Sequence, residues 1–310
     1  MAIKELGFVV VETQQPENWR SFLENVVGAM PVESPGGGVL HYRVDERPFR
    51  FRIVEGATDR LAAAAYEIDT REELDALAER ISAAGQPVEW GSEADASSRE
   101  VEAFFTTSDP AGNGLEFYVG HAVTDEAFVS PQGVSGFVTG KLGMGHAVFA
   151  APDFPASHDF YKQVVGFHDT DLPEFKFSPD PADPGMRFAF MHADNGRHHA
   201  VALGEMPQVP PQCVHIMLEM ETISDVGKCH DRMRAAGVPE SASIGRHVND
   251  QTLGFYMQTP SGFDLEIGCD SLVIDPTTWK ATAHEAPSEW GHVWAWQKAA
   301  QEAEQAEAAE

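Results

Sequence analysis

The chain repeats itself, and a repeat fixes the architecture before any single element is assigned. Leu6–Ala29 (LGFVVVETQQPENWRSFLENVVGA) matches Met144–Phe167 (MGHAVFAAPDFPASHDFYKQVVGF). Both read as an apolar strand, a polar turn, an amphipathic helix and Val-Val-Gly as a helix stop. Glu67–Pro87 matches Glu219–Pro239, and DPAGNGLEF at Asp109–Phe117 matches TPSGFDLEI at Thr259–Ile267. Three matches in one order make the chain a tandem of two related halves. Within each half, a strand, a helix and several short strands occur twice. This predicts an α+β fold of four βαβββ modules, two per domain. The expected domains are 1–130 and 131–280, with a linker around Thr124–Lys141 that is rich in Gly, Ser and Pro. A C-terminal extension, 281–310, is expected to be helical and to fray at its end.

Aligning the halves shows where chemistry has been kept. His146 lies twenty residues before Gly166, and Phe8 lies twenty before Gly28. His215 lies twenty-two before Gly237, and Ala63 twenty-two before Gly85; Glu266 corresponds to Glu116. The second half carries His, His and Glu where the first carries Phe, Ala and Glu. The fold therefore does not require histidine at these positions, whereas a metal does. Two imidazoles and one carboxylate with open positions on one face suit non-haem Fe(II). The net +1 charge of such a site favours an anionic ligand, and Mn(II) suits the same donors. All three candidates fall in strand-like stretches (GHAVF, CVHIML, FDLEIG) that can converge on one cavity. A zinc protease helix needs H-E-x-x-H, and His284-Glu285 fails it, with Pro287 inside and Ser288 at the required place. The remaining histidines His41, His121, His158, His168, His192, His230, His284 and His292 are expected to be ordinary core or surface residues.

Composition narrows the partners. With 21 basic and 49 acidic residues the formal charge is −28, which repels nucleic acid and anionic lipid. No apolar run reaches the length of a membrane span, and the start lacks the layout of a signal peptide, so a cytoplasmic protein is expected. Cys213, Cys229 and Cys269 form no C-x-x-C pair, which disfavours a disulfide scaffold or a Cys-rich zinc site. Cys213, two residues before His215, is expected to face the same side.

GRHVNDQTLGFYMQTPSGFDLEIG at Gly245–Gly268, with His247, Tyr256, Pro260, Gly262 and Glu266, resembles the signature of type I extradiol dioxygenases of the vicinal oxygen chelate superfamily. GMGHAVF, NGRHHAVAL and CVHIMLE resemble other blocks of that family in its order. The likeness runs along nearly the whole chain, and its nearest group is the 2,3-dihydroxybiphenyl and steroid-catechol dioxygenases. The resemblance implies curved, barrel-like mixed sheets with helices outside, a metal kept only in the second domain, and a homo-oligomer, often an octamer. It implies that His146, His215 and Glu266 bind Fe(II), and that a catechol and O2 are the reactants.

It further implies that His199 stabilises charge developing on O2 and donates a proton. Tyr256 and His247 then handle the catechol proton, and Asp250 orients one of the histidines. His198 is named as a substrate contact, although as the neighbour of His199 it should leave the opposite face of its strand. Val148, two residues after His146, should face the cavity. Asp169–Gly185, with Phe175, Phe177 and four prolines, is expected to loop over it, with Met186 and Phe188 in its wall. The rival readings are a glyoxalase-like isomerase or thiol transferase on the same fold, and a non-enzymatic ligand-binding relative.

Overall fold

The computed structural model describes residues 3–34, 36, 38–177, 182–210 and 212–307. Each half forms one mixed sheet curled into a half-barrel. The first has eight strands, centred on Ile3–Thr13, which pairs parallel with Phe51–Glu55 and antiparallel with Arg60–Ile68. Arg60–Ile68 in turn runs parallel to Gly114–Val119. The second sheet repeats this order. Gly145–Ala150 is parallel to Val201–Gly204 and antiparallel to Cys213–Glu219, which is parallel to Asp264–Cys269. These central strands are buried nearly throughout, because helices cover one face and the barrel interior the other.

The ladder registers reproduce the sequence alignment. Phe8 pairs with Ala65 and Val10 with Ala63, as His146 pairs with Met217 and Val148 with His215. Glu116 stands beside Ala65 as Glu266 stands beside Met217. Helix ends repeat as well. Thr70 and Thr222 cap the helices Arg71–Ala83 and Ile223–Ala235 by accepting from the backbone N–H three residues on. The helices Pro16–Ser21 and Phe154–Asp159 each run into a π-helical turn that ends on a glycine, Gly28 at φ +85° and Gly166 at φ +106°. That left-handed stop costs glycine no Cβ clash.

The halves interlock. Helix Arg71–Ala83 packs on the Phe160–Val165 turn of the other half, and helix Ile223–Ala235 on Phe22–Val27. Trp19 donates to Ser261 Oγ at 2.8 Å, Arg232 to the Val26 carbonyl at 2.9 Å, and Arg80 to the Val164 carbonyl at 3.0 Å. One apolar core contains residues of both halves. The linker is irregular apart from a short 3-10 turn, Gly140–Leu142.

The extension departs from expectation. Ala295–Glu307 is helical, but Ser288–Trp290 before it is a strand on the edge of Glu240–His247. Pairing there satisfies backbone groups that an open edge leaves bare, so the second sheet continues past residue 280. No helix among the described residues is long and apolar enough to cross a membrane.

Candidate metal centre

Three neighbouring strands of the second sheet deliver the triad. His146 comes from Gly145–Ala150, His215 from Cys213–Glu219 and Glu266 from Asp264–Cys269. His146 Nε2 lies 3.2 Å from His215 Nε2 and 3.3 Å from Glu266 Oε2, and His215 Nε2 lies 3.4 Å from that same oxygen. Donors bound about 2.1 Å from one ion at roughly right angles stand about 3 Å apart, so the spacing suits a shared cation. The burial pattern agrees. Glu266 is 1% exposed and its Oε1 has no hydrogen-bond partner among the described residues, a costly state for a carboxylate without a cation. Burial alone pushes the Glu266 carboxyl up, but the imidazoles of His146, His215 and His247 that face it hold it well below the usual range. Burial pushes His146 down against the pull of Glu266, which keeps the imidazole neutral, as a ligand must be.

Around the triad lies a cavity of about 840 Å³. His199 enters from the residue pair before Val201–Gly204; its ring centroid is 3.8 Å from that of His146 and its Nδ1 is 4.0 Å from Asp250 Oδ2. Burial and the neighbouring His146 push His199 well below its ordinary value. Opposite, Tyr256 Oη and His247 Nε2 are 2.7 Å apart, and His247 Nε2 lies 3.6 Å from Glu266 Oε1. Burial opposes protonation of His247, but Glu266 and then Asp250 outweigh it and raise the group to about 9. Tyr256 is pushed well above its ordinary value by burial, then by Glu266 and Asp250. Two imidazoles shifted in opposite directions and a phenol thus face the donors of the triad.

Val148, Phe175, Met186 and Phe188 line the cavity, along with His199, His247, Asp250 and Tyr256. His198 does not: its Nε2 turns to Asp171 Oδ2 at 3.0 Å, behind the wall. The two histidines lie in the bend before Val201–Gly204, where their rings stand at 86° to each other, so His198 is outside the cavity lining. Alternation misleads at Cys213. The ladder slips between Cys213 and His215, and such a bulge swaps the faces. Val214 lines the cavity instead, and burial raises the Cys213 thiol well above its usual range. The Asp169–Gly185 segment is not a free loop at its start. His168–Asp171 and Glu174–Phe175 are strands paired with Met186–His192, while residues 178–181 lie outside the described residues.

The sequence reading missed the contribution of the C-terminal extension. Pro287, Trp294 and Trp296 line the cavity, and His292, grouped above with ordinary histidines, stacks on His247 with ring centroids 4.2 Å apart. A signal was present: three of six tryptophans, at 290, 294 and 296, fall in an otherwise Ala/Glu-rich tail.

Residues 143–267 match the family described as the Glyoxalase/Bleomycin resistance protein/Dioxygenase superfamily, and residues 6–56 match Dihydroxybiphenyl dioxygenase BphC D1. An iron-dependent extradiol dioxygenase of Rhodococcus jostii (strain RHA1) is 37% identical over 94% of this chain and 97% of its own length. A biphenyl-2,3-diol 1,2-dioxygenase of Pseudomonas sp. (strain KKS102) is 38% identical over 94% of this chain and 98% of its own. The crystal structure of BphC, a halotolerant catechol dioxygenase, superposes with a TM-score of 0.88 at 31% identity, covering 96% of each chain. Repeated half-barrels, a buried His-His-Glu cluster and full-length likeness to these enzymes agree: the chain belongs to the extradiol dioxygenases of the glyoxalase, bleomycin resistance protein and dioxygenase superfamily.

Proposed function

We infer that this protein opens the ring of a catechol by extradiol cleavage with O2 at a single Fe(II), held by His146, His215 and Glu266. The observation that carries this reading is the convergence of those three donors at 3.2–3.4 Å from one another on the same cavity as His199 and the Tyr256–His247 pair. When bound, the ion supplies a route for electrons between the ring and O2. Fe(II) is chosen over Mn(II) because the Rhodococcus jostii relative is iron-dependent.

The chain's own residues orient the reactants and move protons. Tyr256 Oη, with His247 Nε2 at 2.7 Å, donates its O–H to the deprotonated catechol oxygen. His199 approaches from the other side of the triad. A neutral imidazole there donates a hydrogen bond to negative charge as it develops on O2, and it acts as a proton donor once it has taken up a proton from the catechol. His199 Nδ1 lies 3.1 Å from His198 Nδ1, and Asp250, 4.0 Å away, orients the ring through its charge. The wall of Phe175, Phe177, Phe188, Phe190 and Met206 is apolar and excludes water from the distal part of the substrate. A bicyclic or larger catechol, such as 2,3-dihydroxybiphenyl or a steroid catechol, fits this volume better than a single ring. A cytoplasmic location and assembly into a homo-oligomer, up to an octamer, belong to the same proposal, and sedimentation reads the latter.

Protein reconstituted anaerobically with Fe(II) and given 2,3-dihydroxybiphenyl and air tests it. The expected result is a yellow product formed with one O2 taken up per catechol. No product from monocyclic, bicyclic or steroid catechols despite bound iron would return the site to an isomerase or thiol transferase reading.

A further inference from the structure

The strand Ser288–Trp290 leads into a turn that reaches the cavity from behind. It passes through Gly291 at φ +75° and His292 at φ +48°, the second an uncommon conformation for a residue with a Cβ. The turn crosses Gly245 at backbone contact. A Cβ on Gly245 would stand 2.4 Å from His292 N and 2.6 Å from its Cγ, and a Cβ on Gly291 would stand 2.4 Å from Gly245 Cα. Two side chains are missing where the crossing needs them missing, and His292 is thereby 4% exposed.

Both nitrogens of that ring are tied. His292 Nε2 lies 3.2 Å from the Gly254 carbonyl and Nδ1 lies 2.8 Å from Ser288 Oγ. A carbonyl only accepts, so Nε2 donates to it and Nδ1 accepts from the Ser288 hydroxyl. What the ring has left is its face, and that face lies on His247 at 4.2 Å with a 29° interplanar angle. The same segment supplies the Pro287 carbonyl, to which His247 Nδ1 donates at 2.9 Å. With Nδ1 tied back and the ring plane held, His247 Nε2 faces Tyr256 Oη.

We propose that His292 is a positioning residue of the ring-cleaving site: it braces the His247 imidazole so that Nε2 is presented to Tyr256 and the substrate. His292 itself meets no reacting atom. The proposal rests on the role assigned to His247, but the brace can be measured without turnover.

The experiment uses the full chain with ¹⁵N-labelled histidine. In the metal-free parent, His247 gives one narrow Nδ1–H signal. In His292→Asn, which tolerates a left-handed backbone but has no ring, that signal broadens or is lost to exchange with water. After iron loading, His292→Asn lowers kcat on 2,3-dihydroxybiphenyl by about 10- to 100-fold, with KM and iron content within twofold of the parent. His292→Phe, which restores a ring face, recovers part of the loss. An unchanged Nδ1–H signal in His292→Asn overturns the brace. So does a fall of kcat and iron content with a rise of KM in both variants, which marks a merely structural residue. A loaded parent that cleaves no catechol sinks the proposed function instead, while the metal-free spectra still decide the brace.

Discussion

The two halves share a backbone and differ in what faces the inside of each half-barrel. In the second, His146 and His199 stack at 3.8 Å; in the first, Phe8 and Phe49 pack in the corresponding places at 4.9 Å. His215 is matched by Ala63, and Glu266 by Glu116. Glu116 kept its carboxylate but is met by a guanidinium. Arg99 binds it at 2.9 Å through both Nε and Nη2 and lies over the Phe104 ring at 4.1 Å. A buried carboxylate needs a countercharge; the first half carries a covalent one, and the second leaves its own to an ion. A different pair is kept in both copies. Arg47 meets Glu67 at 3.0 Å and Arg197 meets Glu219 at 2.9 Å, at matching places in the two sheets. This pair belongs to the fold, while the histidines stand at these places in the second copy alone.

The comparison breaks most visibly at the triad. His146→Ala is expected to reduce Fe(II) affinity by more than the roughly 100-fold that loss of an outer partner costs and to abolish ring opening; iron analysis and O2 uptake check both. Full iron and full turnover in that variant would falsify the ligand assignment. His199→Phe copies the first half into the second. It should keep iron and catechol binding yet slow kcat by about 10²- to 10⁴-fold, seen as tight anaerobic binding of the catechol with slow colour formation.

How much of this the sequence reveals follows from the range of each signal. His146, Val148, His215 and Glu266 are legible because duplication compares each with a partner doing a different task, and because strand alternation is local. Cys213 is misplaced because a one-residue bulge leaves no mark in composition. The Trp294 and His292 contacts depend on where a tail returns after residue 280, which no local pattern encodes. Family motifs stop at Glu266 and say nothing of it.

Two further measurements sharpen the comparison in the first half. Arg99→Leu removes the countercharge from Glu116, which is 3% exposed in its side chain, and should cost about 3 kcal/mol in urea unfolding. The double variant Arg99→Leu/Glu116→Leu should recover most of it; no recovery would mean that the arginine acts through packing alone.

A smaller effect concerns acid. His121 sits among Phe8, Phe49 and Tyr118, and neither ring nitrogen has a hydrogen-bond partner among the described residues. Burial, then the charges of Arg50 and Arg47, lowers it to about 2. The folded ring stays neutral while the unfolded one takes a proton below its ordinary value of 6.5. Its neutral burial is therefore free of penalty above that value, and stability declines as pH falls from there toward 2. At pH 5 the penalty is about 2 kcal/mol. His121→Leu should remove it, so that the variant loses less stability than the parent between pH 8 and pH 5; parallel pH profiles would refute this.

The crossed helices carry a consequence for how the chain melts. Trp19 is anchored on Ser261, Arg232 on Val26 and Arg80 on Val164, and the larger apolar core is shared by both halves. Unfolding is then one cooperative event, and whatever binds the second half is thermodynamically linked to the first. A ligand at His146 that shifts the melting temperature should shift it by the same amount for Trp19 fluorescence as for the histidine resonances of the distant sheet. The metal-free half thus gains in heat resistance from an ion it cannot hold.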